Sequence, residues 1–177
     1  MTGAGLWSEG LLSAPLADLS LDDPQTLPGI FSQVASRSPN AIAVTHGRES
    51  ITYGELDTLS NRIGHWLQQV HRVERGDLVC IAYPRGIDFM AAMLAVLKCG
   101  AAYVPLDLRE PLERRRIIVE DAKPKCLIVV DEQRKDFEFG QASVKPVGLS
   151  DLKDIYSWPP EPLGLHVDSE DLACVFF

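Results

Sequence analysis

The sequence predicts an α/β protein with a largely parallel sheet and helices on both faces. Three observations predict it. Strand-like apolar runs alternate with helical patterns along the chain. The runs Leu78–Tyr83, Ala101–Leu106 and Lys125–Val130 are continuously apolar, as strands covered on both faces are. The helical segment Gly86–Lys98 is apolar nearly all round (Ile87, Phe89, Met90, Met93, Leu94, Val96, Leu97) and must be buried on most sides. At 177 residues, 46% hydrophobic and 24% charged, the chain has the composition of a soluble globular protein, either one domain or a piece of a larger one.

Residues 1–25 mix Gly, Ser, Pro and Asp and read as an irregular N-terminal arm, tacked onto the body by Trp7 and Leu11 or Leu12. From Leu27 one helical face carries Leu27, Ile30, Phe31, Val34 and Ala35. Pro39-Asn40 breaks that helix. Ala41–Thr45 reads as a buried strand, and His46–Glu49 as a hairpin connection into Ser50–Thr52. Thr52 and Glu55 form a capping box, in which each side chain satisfies an orphan amide at a helix start. The helix that follows places Leu56, Leu59, Ile63, Trp66, Leu67 and Val70 on one stripe, a core face.

Gly76-Asp77 turns the chain into the strand Leu78–Tyr83, and the apolar helix comes next. Cys99-Gly100 stops that helix, glycine tolerating the left-handed backbone needed there. Pro105 makes the strand Ala101–Leu106 short or places it at a sheet edge. Pro111 stands in the first turn of a helix reaching Ala122, where a missing amide costs little. Lys125–Val130 is another strand, Val144–Leu149 a short one, and Leu172–Phe177 a buried one.

The chemistry-bearing residues are sparse. A net charge of −8 and the lack of a basic stripe with interleaved aromatics argue against nucleic acid. No apolar run is long enough to span a bilayer. Cys80, Cys99, Cys126 and Cys174 are widely spaced in apolar runs, without ligand spacing, and read as buried small hydrophobes. Reduced thiols of this kind suit a cytoplasmic protein. His46, His65, His71 and His166 show no paired spacing; packed or surface histidine is the default. No glycine-rich phosphate loop, nucleophile elbow or HExxH helix is found. Asp107, ending a strand, could face a ligand crevice, but aspartates there commonly bond loop amides. Arg114, Arg115 and Arg116, among Glu110, Glu113, Glu120 and Asp121, read as a solvated helix face with local ion pairs.

Two segments carry a family resemblance. ITYGEL (Ile51–Leu56), leading into a long helix, resembles the first core motif of adenylate-forming (AMP-binding) enzymes, [L/I]-[T/S]-Y-x-E-L. LKCGAAYVPLD (Leu97–Asp107) resembles their second core motif, L-K-x-G-x-A-Y-V-P-L-D, almost letter for letter. RGDLVCIAY (Arg75–Tyr83) looks like the G-D-x-V strand between them, and FSQVASRSPNAIAV (Phe31–Val44) like the usual opening helix and strand. The ending YVPLD points to the adenylation domains of nonribosomal peptide synthetases. One departure is the stretch Leu108-Arg109-Glu110-Pro111, where that branch usually has P-x-Y-P.

The resemblance implies the first subdomain of the family's N-terminal domain. Residues 26–177 would form a partial adenylation domain ending where DLACVFF (Asp171–Phe177) would run into the phosphate-binding loop. The family's substrate pocket, adenine and ribose contacts and C-terminal lid all come later, so no catalytic, cofactor-binding or metal residue is assigned. This fragment is expected to bind no cofactor; the complete enzyme would use ATP and Mg2+ and load a phosphopantetheine carrier protein. The implied partners are the remainder of the domain or a complementing chain. Two other readings stay open: a non-catalytic binding or regulatory module reusing the fold, and the front half of an acyl-CoA ligase.

Overall fold

The computed structural model describes residues 26–138, 144–152 and 154–177. The expected arm, with its anchors Trp7, Leu11 and Leu12, lies outside the described residues. Helix α1 (Leu27–Arg37) opens with Thr26 as its cap, the Thr26 hydroxyl accepting from the Gly29 amide at 3.2 Å. Strands β1 (Ile42–His46) and β2 (Glu49–Thr52) form an antiparallel hairpin, a two-stranded sheet of its own. The expectation of a buried strand at Ala41–Thr45 is corrected here: β1 is half-exposed to exposed, because only one of its faces meets helices. Ala43 and Val44 pack on the core while Ile42 stands in solvent.

Helix α2 (Tyr53–His71) starts at the anticipated capping box. The Thr52 amide and hydroxyl each donate to the Glu55 carboxylate at 2.9 Å, and the Glu55 amide donates to the Thr52 hydroxyl at 3.3 Å. Leu56, Ile63, Trp66 and Leu67 are buried on its inner face. Val70, read as part of that stripe, is 54% exposed; at this end of the helix the core is entered by Leu67 and by Val73 beyond the cap instead.

The body is a parallel sheet of β4 (Ala102–Pro105), β3 (Leu78–Ala82), β5 (Cys126–Val129) and β6 (Pro146–Val147), in that order. Helix α3 (Ile87–Lys98) crosses from β3 to β4, and α4 (Leu112–Ala122) precedes β5. Adjacent residues of β3 point to opposite faces: Val79 and Ile81 join the core under α2 and α3, while Cys80 and Ala82 join the core under α4 and Phe137. Both faces are thus covered, which is why the strand sequences lack alternation. Gly100 closes α3 at φ +72°, and a Cβ there would lie 3.1 Å from Arg75 Cγ.

β4 ends at Pro105, as anticipated, and forms one edge of this sheet. Residues Leu172–Phe177, expected as a buried strand, instead make a single parallel bridge, Tyr103 to Cys174, on the outer side of β4. The Tyr103 amide donates to the Ala173 carbonyl at 3.1 Å and the Val175 amide to the Tyr103 carbonyl at 3.0 Å. No strand among the described residues pairs with the far side of this segment, and Leu172, Phe176 and Phe177 are exposed.

Candidate functional site

In a parallel sheet the loops after the strands gather at one end, and ligands are taken there. Here that end carries Asp107 after β4, Arg85 after β3 and Asp131 after β5. Asp107 accepts from the Arg109 amide at 2.9 Å and from the Arg109 guanidinium at 2.5 to 3.1 Å. Those hydrogen bonds hold its carboxyl well below the usual carboxylate range. Such an aspartate is a loop staple, its two carboxylate oxygens held by the Arg109 amide and guanidinium. The loop-bonding reading of Asp107 therefore fits the geometry, and its partner Arg109 belongs to the stretch that departs from the family pattern.

A second knot stands after β5. Arg134 donates to Asp131 (2.7 Å), Asp151 (2.9 Å) and the Ser150 hydroxyl (3.2 Å), and Asp151 also accepts from the Gly148 amide at 3.0 Å. A Cβ on Gly148 would overlap the ends of the Asp131 and Arg134 side chains, so a larger residue there would displace the pair. Tyr83 joins this group, its hydroxyl accepting from the Leu149 amide at 3.3 Å.

The arginine cluster differs from the sequence expectation. Arg115 is only 6% exposed; its guanidinium donates to the Glu110 carbonyl and to Gln133, and stacks 5.4 Å from the Phe137 ring centre. Arg116 pairs with Glu113 and reaches the Asp136 carbonyl. Three consecutive helix positions point in three directions, about 100° apart, so one of them turns inward. Among the cysteines, Cys80, Cys99 and Cys126 are buried, and burial pushes their thiols up to about 12. Cys174 is only partly buried, a correction to the expectation for all four. His71 packs edge-on to Trp66, with ring centres 4.4 Å apart, and burial lowers its pKa. His65 contacts the Glu161 carbonyl at 3.1 Å.

Sequence reasoning missed a buried polar node. Lys98, 8% exposed at the end of α3, donates to Asp57 Oδ1 (2.8 Å), Ser60 Oγ (2.7 Å) and Asn61 Oδ1 (2.7 Å), with the Asp57 carbonyl at 3.1 Å. Burial lowers its pKa, and the Asp57 carboxylate opposes that. The available signal was a lone cation on a helix apolar on every side, which needs a counter-charge inside the fold.

Arg109 and Arg134 at this end are already engaged by carboxylates, and among the described residues no three His, Cys, Asp or Glu side chains converge as metal ligands. Two grooves lie elsewhere, both beside Thr26: one of about 140 Å3 reaches Gly100 and Ala101 before β4, and one of about 260 Å3 lies between α1, Asn61, Lys98 and the segment Pro162–Val167. Among the described residues no helix is long and apolar enough to cross a membrane.

Comparison with known proteins gives a consistent picture. The sequence matches the AMP-binding enzyme family over residues 31–177. Malpibaldin synthetase of Mortierella alpina is 46% identical over 100 residues, covering 56% of this chain and 2% of that protein. Cyclosporin synthetase of Tolypocladium inflatum is 30% identical over 177 residues, covering 98% of this chain and 1% of that protein. Among solved structures, a nonribosomal peptide synthetase with α-methyl-L-serine-AMP bound superposes with a TM-score of 0.76 at 28% identity, covering 85% of this chain and 17% of that one. The chain thus spans a small fraction of the length of the proteins it matches.

Proposed function

The chain belongs to the AMP-binding enzyme family, and we propose that it is the N-terminal scaffold of an amino-acid-activating adenylation domain, not competent for catalysis by itself. The match over residues 31–177 carries this reading, because it spans both motif-bearing units. ITYGEL is the β2-to-α2 junction with its capping box, and LKCGAAYVPLD is the end of α3, the Gly100 turn and β4. The similarity to peptide synthetases supports the amino-acid-activating branch over the acyl-CoA ligases.

On this reading residues 26–177 are a partial adenylation domain, preceded by an arm at 1–25. The complete enzyme is a cytoplasmic protein that uses ATP and Mg2+ to form an aminoacyl-adenylate and passes the acyl group to a phosphopantetheine carrier protein. The described residues contribute the sheet and its covering helices, the frame on which groups around the phosphates are positioned. Exposed Leu172, Phe176 and Phe177 beside the edge strand β4 support a further stretch of polypeptide, continuous or supplied by another chain, that covers this edge.

Amino-acid-dependent pyrophosphate exchange tests the proposal. The 177-residue chain is expected to show none above a vector-only control. Exchange is expected once the remaining part of an adenylation domain is supplied. Exchange by the chain alone overturns the scaffold reading; silence of the completed domain with proteinogenic and non-proteinogenic amino acids alike overturns the adenylation reading.

A further inference from the structure

The segment Trp158–Val167 crosses the outside of α2 as a strap. Its prolines at 159, 160 and 162 stiffen it and remove three amide donors, so its carbonyls and side chains must do the anchoring. Four residues along α2 meet it or the turn before it. Asn61 Nδ2 donates to the Pro160 carbonyl at 2.7 Å, and His65 Nε2 lies 3.1 Å from the Glu161 carbonyl. Gly64 leaves room for Leu163, whose methyls would stand 3.0 Å from a Cβ there, and Arg62 stacks on Tyr156.

We propose that Lys98 is a positioning residue for this strap and acts through the Asn61 amide. An asparagine amide is a donor on one side and an acceptor on the other, so its neighbours decide which way it turns. Lys98 can only donate, which commits Asn61 Oδ1 to the ammonium at 2.7 Å. The Pro160 carbonyl can only accept, and it finds Nδ2. Asp57 secures both partners, with Oδ1 on the ammonium and Oδ2 receiving the second Nδ2 hydrogen at 3.3 Å. Asn61 is 1% exposed, so each of these hydrogen bonds is a buried one whose loss leaves a polar group without its partner. The chain then continues from the strap through the Asp168–Asp171 turn to Ala173–Val175 at the β4 edge. The node between α2 and α3 therefore fixes where the chain reaches that edge.

The test uses the full chain, limited chymotrypsin cleavage at the Leu163–Gly164 and Leu165–His166 bonds, and hydrogen exchange at the Tyr103 and Val175 amides. Asn61→Leu is expected to speed both about tenfold, the loss of one buried hydrogen bond to the strap. Exchange at Ile81 and Ile128 is expected to stay within about twofold, since the sheet core is not touched. Lys98→Met is expected to release the strap similarly, and Lys98→Met/Asn61→Leu to release it no further than Asn61→Leu. Additive release overturns the proposal, as does an undisturbed strap in Asn61→Leu or a rise at Ile81 and Ile128 to match the strap. Should Lys98→Met fail to fold, Lys98→Gln, whose amide allows Asn61 to turn either way, takes its place with a smaller release. If that also fails, Lys98→Arg, which keeps a cation that can only donate to Asn61 Oδ1, should leave the strap held, and its release to the Asn61→Leu level overturns the proposal.

Discussion

Residues 78–129 and residues 155–177 both carry apolar runs, yet only the first builds a covered layer. In β3 and β5 nearly every side chain is buried, because α2 and α3 lie on one face and α4 with Phe137 on the other. The final segment has the same kind of sequence, LACVFF, but pairs with the sheet through one bridge and puts only Val175 against the core, and Phe176 is 79% exposed. An apolar run states that a segment needs cover; the cover comes from residues distant in sequence. Energetic weight should follow the cover and not the hydrophobicity.

The largest effect is expected in the body. Leu67 is fully buried in the core between α2 and the sheet. Leu67→Ala should cost about 2–5 kcal/mol, transfer plus cavity, read as a lowered urea midpoint with unchanged slope. Phe176→Ala, a comparable deletion in the tail, should change stability by no more than about 0.5 kcal/mol. Equal losses at the two sites would break the comparison. A smaller effect tests the turn that joins α3 to β4. At φ +72° Gly100→Ala should cost about 1–2 kcal/mol, since any side chain is strained there. A neutral result would mean that the turn shifts without loss.

The same contrast explains what the sequence could disclose. The capping box at Thr52 and Glu55, the Gly100 stop and the covered strands are signals confined to a few neighbouring residues, and each is legible. The family is legible too, because LKCGAAYVPLD folds as one local unit, helix end, turn and strand. The misses share one cause. The run at Ala41–Thr45 reads as buried because apolar content does not tell one covered face from two. Val70 continues the stripe in spacing but is left in solvent while Val73 is buried, and Arg115 is hidden among arginines in a charged stretch. The Lys98 node joins positions 37 to 41 residues apart, and its strap is 99 residues from Asn61. No short window of sequence contains such a contact. The same holds for the site: Asp107 could be placed at a strand end, but its neutralisation by Arg109 depends on how the loop turns.

The smallest expected effect sharpens the comparison at the tail itself. Asp171 accepts from the Arg75 side chain at 2.7 and 3.0 Å and caps the Asp168 amide at 2.9 Å. These hydrogen bonds, Arg75 first and the Asp168 amide second, hold its carboxyl below the ordinary aspartate value of 3.8. A depressed carboxylate contributes to folding above the unfolded value and loses that contribution as pH falls through the folded one. Asp171→Asn should therefore loosen the tail at neutral pH, and its difference from the wild type should shrink as pH falls through the folded value of Asp171, below 3.8. The readout is the variant-to-wild-type ratio of exchange at Val175, which cancels the intrinsic pH dependence. Because the pair is exposed, that ratio should reach no more than about threefold at about pH 7 and fall further with added salt. Exchange at Ile81 should respond far less, since of the tail only Val175 packs on the core, and on the sheet face opposite Ile81. An equal response there would show that the edge segment is coupled to the sheet after all, and that one bridge weighs more than its burial indicates.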